Sequence, residues 1–143
     1  MVSIGDFDFP EDRLYSKDHV WIKIEDESRK IAIMGIDAMG YSIAGQISII
    51  RVKKGGKPTI KGKTFGTMES GKGVVPLKSP ISGLITDVNP LMDQKKYDTI
   101  MAQPFESWLV KIQYENPGEL ADLLKTASEI SKWAKEELSK MKK

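Results

Sequence analysis

The stretch Thr67-Met68-Glu69-Ser70-Gly71-Lys72-Gly73-Val74-Val75 constrains the fold more than any other part of the chain. Two glycines bracket one lysine and supply the backbone freedom of a tight turn. The flanking Phe65, Met68, Val74, Val75 and Leu77 are residue types that pleated strands pack against a core. The pattern predicts a β-hairpin whose tip displays Lys72 to solvent. A lysine carried there by a rigid scaffold is open to a modifying enzyme and can bear a cofactor as an amide on its ε-nitrogen. An ordinary basic turn has the same local pattern.

A chain of 143 residues fits one domain, or one domain with a helical extension, and can bury roughly two-thirds of its unfolded surface. With 22 basic and 20 acidic residues, the positive charges are interspersed along the sequence rather than gathered in a stripe, and no nucleic-acid partner is expected. Only the tail Lys140, Lys142, Lys143 is biased. The absence of cysteine excludes disulfides, thiol nucleophiles and thiolate metal sites, and the single His19 excludes multi-histidine metal sites. Neither a signal pattern nor a stretch approaching the ~20 apolar residues of a membrane span is present, so no membrane partner and a soluble, cytoplasmic protein are expected.

Residues 1–13 are acidic, contain Gly5 and Pro10, and read as an irregular arm. A strand over 15–24, a charged turn over 25–30 and a strand over 31–34 form a hairpin. Asp37 can start a short helix over 36–43, and strands follow at 46–52, around Phe65, at 81–88 and at 108–112. Residues 91–102 read as a loop or short strand. A short internal repeat relates Ile43-Ala44-Gly45-Gln46-Ile47 to Ile81-Ser82-Gly83-Leu84-Ile85 and suggests two small sheets related by a pseudo-twofold axis. Asn116-Pro117-Gly118-Glu119 and Thr126-Ala127-Ser128-Glu129 are helix starts. Leu120, Leu123, Leu124, Ala127, Ile130, Ala134, Leu138 and Met141 form an apolar stripe expected to dock on the sheet. The division is an N-terminal arm over 1–13, a β-domain over 14–115 and a C-terminal helical segment over 116–143 packed on it.

No catalytic constellation is visible, and no metal site is expected. No Ser-His-Asp order survives having only His19, which reads as a partly buried structural histidine. Gly55-Gly56-Lys57 and Gly62-Lys63 lack the spacing and the strand-to-helix context of a phosphate loop and read as turns.

Several motifs, in order, resemble the H protein of the glycine cleavage system. Tyr15-Ser16-Lys17-Asp18-His19-Val20-Trp21 resembles that family's Tyr-x-x-x-His-x-Trp, Met34-Gly35-Ile36-Asp37 its Gly-Ile-Thr/Ser step, and Glu69-Ser70-Gly71-Lys72 its Glu-Ser-Val-Lys lipoylation site. Ser79-Pro80-Ile81-Ser82-Gly83 with Val88-Asn89, Pro104-Phe105 with Trp108-Leu109-Val110-Lys111-Ile112, and Asn116-Pro117-Gly118-Glu119-Leu120 continue the likeness over about 15–130. The resemblance implies a mainly β fold with C-terminal helices, a lipoyl/biotinyl-type β-sandwich (barrel-sandwich hybrid) of two small sheets. It implies a non-catalytic carrier with lipoate in amide linkage on Lys72, and a recognition turn of Glu69, Ser70, Gly71 and Gly73 read by a lipoylating enzyme. Biotin is the rival group, but biotinyl sites have methionine on both sides of the lysine, where Gly71 and Gly73 stand here.

The implied partners are glycine decarboxylase, aminomethyltransferase and dihydrolipoamide dehydrogenase, among which the arm would shuttle an aminomethyl group and electrons. The departures from the family bear on that cargo. Val20 stands where an acidic residue is usual, Pro76 where one is frequent after the lysine, and Gly73-Val74 replaces Ala-Ala or Ala-Thr. Lys95, Lys96 and Met101 occupy a region that usually carries Pro and Asn. A cationic amine would use those carboxylates. The alternative is therefore an H-like lipoate-binding protein of a sulfur-oxidising complex resembling heterodisulfide reductase, and less so an unmodified interaction domain.

Overall fold

Short runs of β-branched and aromatic residues, punctuated by glycine and charged turns, build strands along most of the chain. The structure is a computed structural model that describes residues 1–141; Lys142 and Lys143 of the basic tail lie outside the described residues. Its strands are β1 (Val2–Ile4), β2 (Phe7–Phe9), β3 (Leu14–Tyr15), β4 (Val20–Asp26), β5 (Ile31–Ile36), β6 (Ile47–Val52), β7 (Pro58–Thr59), β8 (Thr64–Ser70), β9 (Gly73–Lys78), β10 (Gly83–Val88) and β11 (Val110–Tyr114). Helix α1 (Ala38–Ala44) separates β5 from β6, while α2 (Pro90–Asp93) and α3 (Tyr97–Ala102) lie between β10 and β11. A 3-10 turn over Pro117–Asp122 precedes α4 (Ala127–Met141).

Two sheets carry the core. One has the order β3-β4-β5-β11-β10-β7 and the other β6-β8-β9, with β1 and β2 paired separately. Ile22, Met34, Ile85 and Ile112 of the larger sheet pack in one cluster with Ile47, Ile50, Phe65, Met68 and Leu77 of the smaller. Each such side chain contributes about 1.5–3 kcal/mol by leaving water. The repeated segments lead into β6 and β10, one in each sheet. Their glycines serve different ends. Gly45 ends α1 with φ of 87°, whereas Gly83 lets strands close in, since a Cβ there would lie 2.3 Å from the Gln113 carbonyl oxygen.

Residues 1–13 depart from the irregular arm expected of them. β1 and β2 form a hairpin around Gly5, whose φ is 60°, with Ile4 opposite Phe7. Strands of three residues are marginal alone. These hold because Val2, Ile4 and Phe9 pack in a second cluster with Tyr15, Trp21, Ile130, Trp133 and Ala134. The C-terminal stripe thus docks mainly on the N-terminal hairpin, with Trp133 joining it and Ala127 and Met141 left exposed.

Three further boundaries differ from expectation. The strand expected over 15–24 breaks into β3 and β4, with a tight turn at Ser16–His19 where the Ser16 oxygen accepts from the His19 N–H. Residues 91–102 hold two short helices, α2 and α3, rather than a loop or strand; Asn89 caps α2, accepting from the Leu91 N–H at 3.0 Å, and Pro90 fits its first turn. Asn116 caps only the 3-10 turn. Its expected partner Glu119 reaches across instead to the Ser82 N–H (2.8 Å) and hydroxyl (3.0 Å). The reciprocal cap forms one start later, where Glu129 N–H donates to Thr126 Oγ1 and Thr126 N–H donates to Glu129 Oε1, both at 3.1 Å.

His19 clamps the two clusters together. It is buried with a left-handed φ of 67°, and Gly40 leaves the room, since a Cβ there would lie 2.7 Å from His19 Cβ. His19 Nδ1 lies 3.0 Å from Asp37 Oδ1, and Nε2 lies 2.9 Å from Glu137 Oε1 on α4. Asp37 is fully buried and also caps α1, accepting from the Gly40 N–H at 2.7 Å. Burial by itself would favour a neutral imidazole, but the hydrogen bonds and charges of Asp37 and then Glu137 outweigh it and hold His19 above the usual histidine range. Burial also raises the Asp37 carboxyl, opposed by the His19 and Gly40 contacts. The proton resides on the imidazole, because a carboxylate faces each of its nitrogens.

A raised histidine stabilises fully below the unfolded value of about 6.5, and that stability is lost as pH rises through the higher folded value. Thermal unfolding of the wild type and Glu137→Gln should therefore differ by about 1–3 kcal/mol at acidic pH, narrowing as the pH becomes alkaline. A gap independent of pH would contradict a charged His19.

Candidate functional site

The β8–β9 hairpin reverses over Gly71 and Lys72, with Ser70 paired to Gly73. Of the two glycines only Gly73 needs its freedom, at φ of 123°; Gly71 has no positive φ and open space around it. Lys72 therefore sits on ordinary backbone with its strain placed one residue later. The Ser70 hydroxyl accepts from the Lys72 N–H at 3.1 Å and fixes the turn from inside. Lys72 is exposed, and its ammonium makes no ion pair among the described residues.

The lysine stem rests against Gly45. A Cβ built on Gly45 would lie 3.3 Å from Lys72 Cε, 3.4 Å from Cδ and 3.5 Å from Nζ. Gly45 closes α1 by donating its N–H to the Tyr41 and Ser42 carbonyls, both at 3.2 Å. Next to it, β6 carries a bulge: Ile47 pairs with Ser70 and Ile49 with Glu69, leaving Ser48 as the extra residue, its hydroxyl 3.2 Å from the Glu69 carbonyl. A hollow of about 440 Å³ beside this end is lined by Ile47, Ser48, Lys95, Lys96, Tyr97 and Asp98.

Glu69, Ser70, Gly71, Lys72 and Gly73 thus lie together at one end of the smaller sheet, Glu69 half-buried and opposite Val74. Beyond them β9 is an edge strand. Val74 is 60 % and Val75 37 % exposed, so the chain leaving the lysine presents an aliphatic surface, and Pro76 removes one donor from that edge. Neither position that departs from the family pattern brings a carboxylate here. Val20 is fully buried in the main core, and Pro76 points no charge from β9.

The remaining shared motifs turn out to be structural. Trp21 donates its indole N–H to the Pro104 carbonyl at 3.0 Å and lies flat against Gly35, where a Cβ would come within 2.5 Å of the ring. The Tyr15 hydroxyl donates to the Pro10 carbonyl at 2.6 Å. No local pattern in the sequence marks Gly45 as the support of Lys72. Its only sequence signal was the Ile-x-Gly-x-Ile repeat.

The glycine cleavage H-protein family model matches residues 13–137.

The chain belongs to the glycine cleavage H-protein family.

Its relatives include a probable glycine cleavage system H protein 2 of Sulfurisphaera tokodaii, 36 % identical over 137 residues that cover 92 % of this chain and 90 % of the relative. The glycine cleavage system H protein of Chlorobium limicola is 36 % identical over 120 residues, covering 83 % and 92 %. Among solved structures, the H protein of Mycobacterium marinum superposes with a TM-score of 0.74 at 26 % identity, covering 87 % of this chain and 98 % of the other. The H-protein family is a non-catalytic lipoyl carrier component of the glycine cleavage system, and the fold is its lipoyl-domain type of β-sandwich.

Replacing the two turn glycines should separate their roles. Gly73→Ala is expected to cost about 1–2 kcal/mol in urea unfolding because alanine resists that φ, whereas Gly71→Ala should stay within about 0.5 kcal/mol. Equal costs would mean that the strain is not confined to Gly73.

Proposed function

We propose that Lys72 carries lipoate as an amide and that the chain shuttles an aminomethyl group and electrons among glycine decarboxylase, aminomethyltransferase and dihydrolipoamide dehydrogenase. The observation that carries the proposal is the exposed, unpaired Lys72 at the hairpin tip of a chain in the H-protein family. The residues fit the group. The Lys72 Nζ is free to form an amide, Gly45 leaves the stem its resting place, and the Ser70 and Gly73 turn holds the lysine clear of the sheet. Glu69, Ser70, Gly71 and Gly73 are the turn that a lipoylating enzyme would grip, with Val74 and Val75 as its aliphatic neighbour. A bound lipoyl group supplies the dithiolane for redox chemistry and group carriage, which this cysteine-free chain lacks on its own.

The work of the chain is then positional. Acylation removes the lysine charge and lengthens the arm, and attachment to a shared scaffold raises the effective concentration of the arm end at each partner site. A second reading follows from the charges near the tip. Lys95 and Lys96 line the adjoining hollow beside a single acid, Asp98, and neither the core residue Val20 nor Pro76 offers a carboxylate for a cationic amine. The alternative cargo is then sulfur, carried in a complex resembling heterodisulfide reductase.

Intact mass of the protein purified from its native host should show one lipoyl adduct, absent in Lys72→Arg. An unmodified native chain would refute both carrier readings. Glycine–bicarbonate exchange with the lipoylated protein and the glycine cleavage enzymes should then proceed at rates at least about tenfold above Lys72→Arg. No exchange from the lipoylated chain would overturn aminomethyl carriage, as the sulfur reading predicts.

A further inference from the structure

Lysines interspersed in the sequence gather in space. Between residues 53 and 78 seven lysines face a single acidic residue, Glu69, although the whole chain has a net charge of only +2. One of the seven is Lys72. The other six collect at the opposite end of its hairpin. Thr64 at the start of β8 pairs with Lys78 at the end of β9, and the Lys63 carbonyl accepts from the Ser79 N–H at 2.8 Å. Lys53 N–H donates to the Phe65 carbonyl at 2.9 Å and its ammonium to the Pro58 carbonyl at 3.1 Å, while Lys54 and Lys57 close one turn. Of the six ammonium groups only that of Lys61 forms an ion pair among the described residues, with Asp122 at the rim. Asp87 and Asp93 bound the cluster on the side of the hollow that Lys54 lines.

The cluster encloses an aliphatic spot. Ile60 is 58 % exposed and lies between Lys57 and Lys61, and Leu84, 41 % exposed, is paired with Pro58. An apolar centre within a charged rim is the anatomy of a protein–protein contact. Surfaces for single-stranded nucleic acid use aromatic stacking platforms, and no exposed aromatic residue stands in this cluster. β8 is seven residues long, so this end lies about 20 Å from the tip.

We infer that the lysine cluster around Ile60 and Leu84 is a docking surface for an acidic face of a partner protein, which holds the chain by the end opposite Lys72. The inference rests on the carrier reading for its purpose: a partner gripping this end leaves the tip free to reach other sites. Electrostatic complementarity of this kind chiefly speeds encounter and sets specificity, and it weakens as salt rises.

The probe is a labelled peptide of alternating glutamate and leucine, with binding to the full chain followed by fluorescence anisotropy at low and physiological salt. Such binding is independent of lipoylation, so its failure would be distinct from an unmodified Lys72. The fourfold variant Lys54→Glu, Lys57→Glu, Lys63→Glu, Lys78→Glu should weaken binding by about tenfold or more. The equal charge change Lys95→Glu, Lys96→Glu, Lys132→Glu, Lys135→Glu should weaken it by less than about threefold. Ile60→Ser should add a loss of about threefold, with circular dichroism showing each variant folded. Equal losses in the two fourfold variants, no effect of Ile60→Ser, or tighter binding of a single-stranded oligonucleotide or of anionic phospholipid vesicles through the same lysines would overturn the inference.

Discussion

The Asp37 carboxylate is the constraint on which the rest of the structure depends. It is wholly buried, and a buried charge is tolerable only when partners satisfy it. Two partners do so: the imidazole of His19 and the N–H of Gly40. The first connects it through His19 to Glu137 on α4, and the second starts α1. From Asp37 the helix runs seven residues, about 10 Å, to Gly45, and there it meets the stem of Lys72. One short helix thus joins the charge network at its start to the resting place of the Lys72 stem at its end.

This explains which parts of the molecule were legible in the sequence. The hairpin, the Lys72 tip, the helix begun by Asp37 and most strands of the core announce themselves through local turn chemistry and alternation. What lay hidden depends on contacts between distant residues. Nothing local distinguishes residues 1–13 from a loose arm, because the β1–β2 hairpin is held by Trp133 and Ile130 more than a hundred residues away. Glu119 has the spacing of a cap yet serves Ser82, since the fold brings a backbone N–H and a hydroxyl to it together. Of the site, the residues contiguous with Lys72 were readable and its support was not. Gly45 precedes Lys72 by 27 positions, and its role exists only once β6 pairs with β8.

The motifs shared with the family divide in the same way. Tyr15, His19, Trp21, Gly35 and Asp37 spend their chemistry inside the fold, with Tyr15 and Trp21 packed in one cluster with Ile130, Trp133 and Ala134 of α4 and His19 bonded to Glu137. The turn at Lys72 faces outward. A likeness carried largely by scaffold residues is a likeness of fold, because those residues fix how the strands and α4 pack.

The edge at β9 carries one more consequence. A strand that exposes valines beside a row of unpaired backbone groups is a template on which other chains could stack into fibres. Pro76, set within that strand, has no N–H to offer, and the positive φ of Gly73 turns the strand away at its start. Pro76 brings the hairpin no charge, but it guards the same edge against self-templated aggregation, so that the valines stay exposed without inviting copies of the chain to pair.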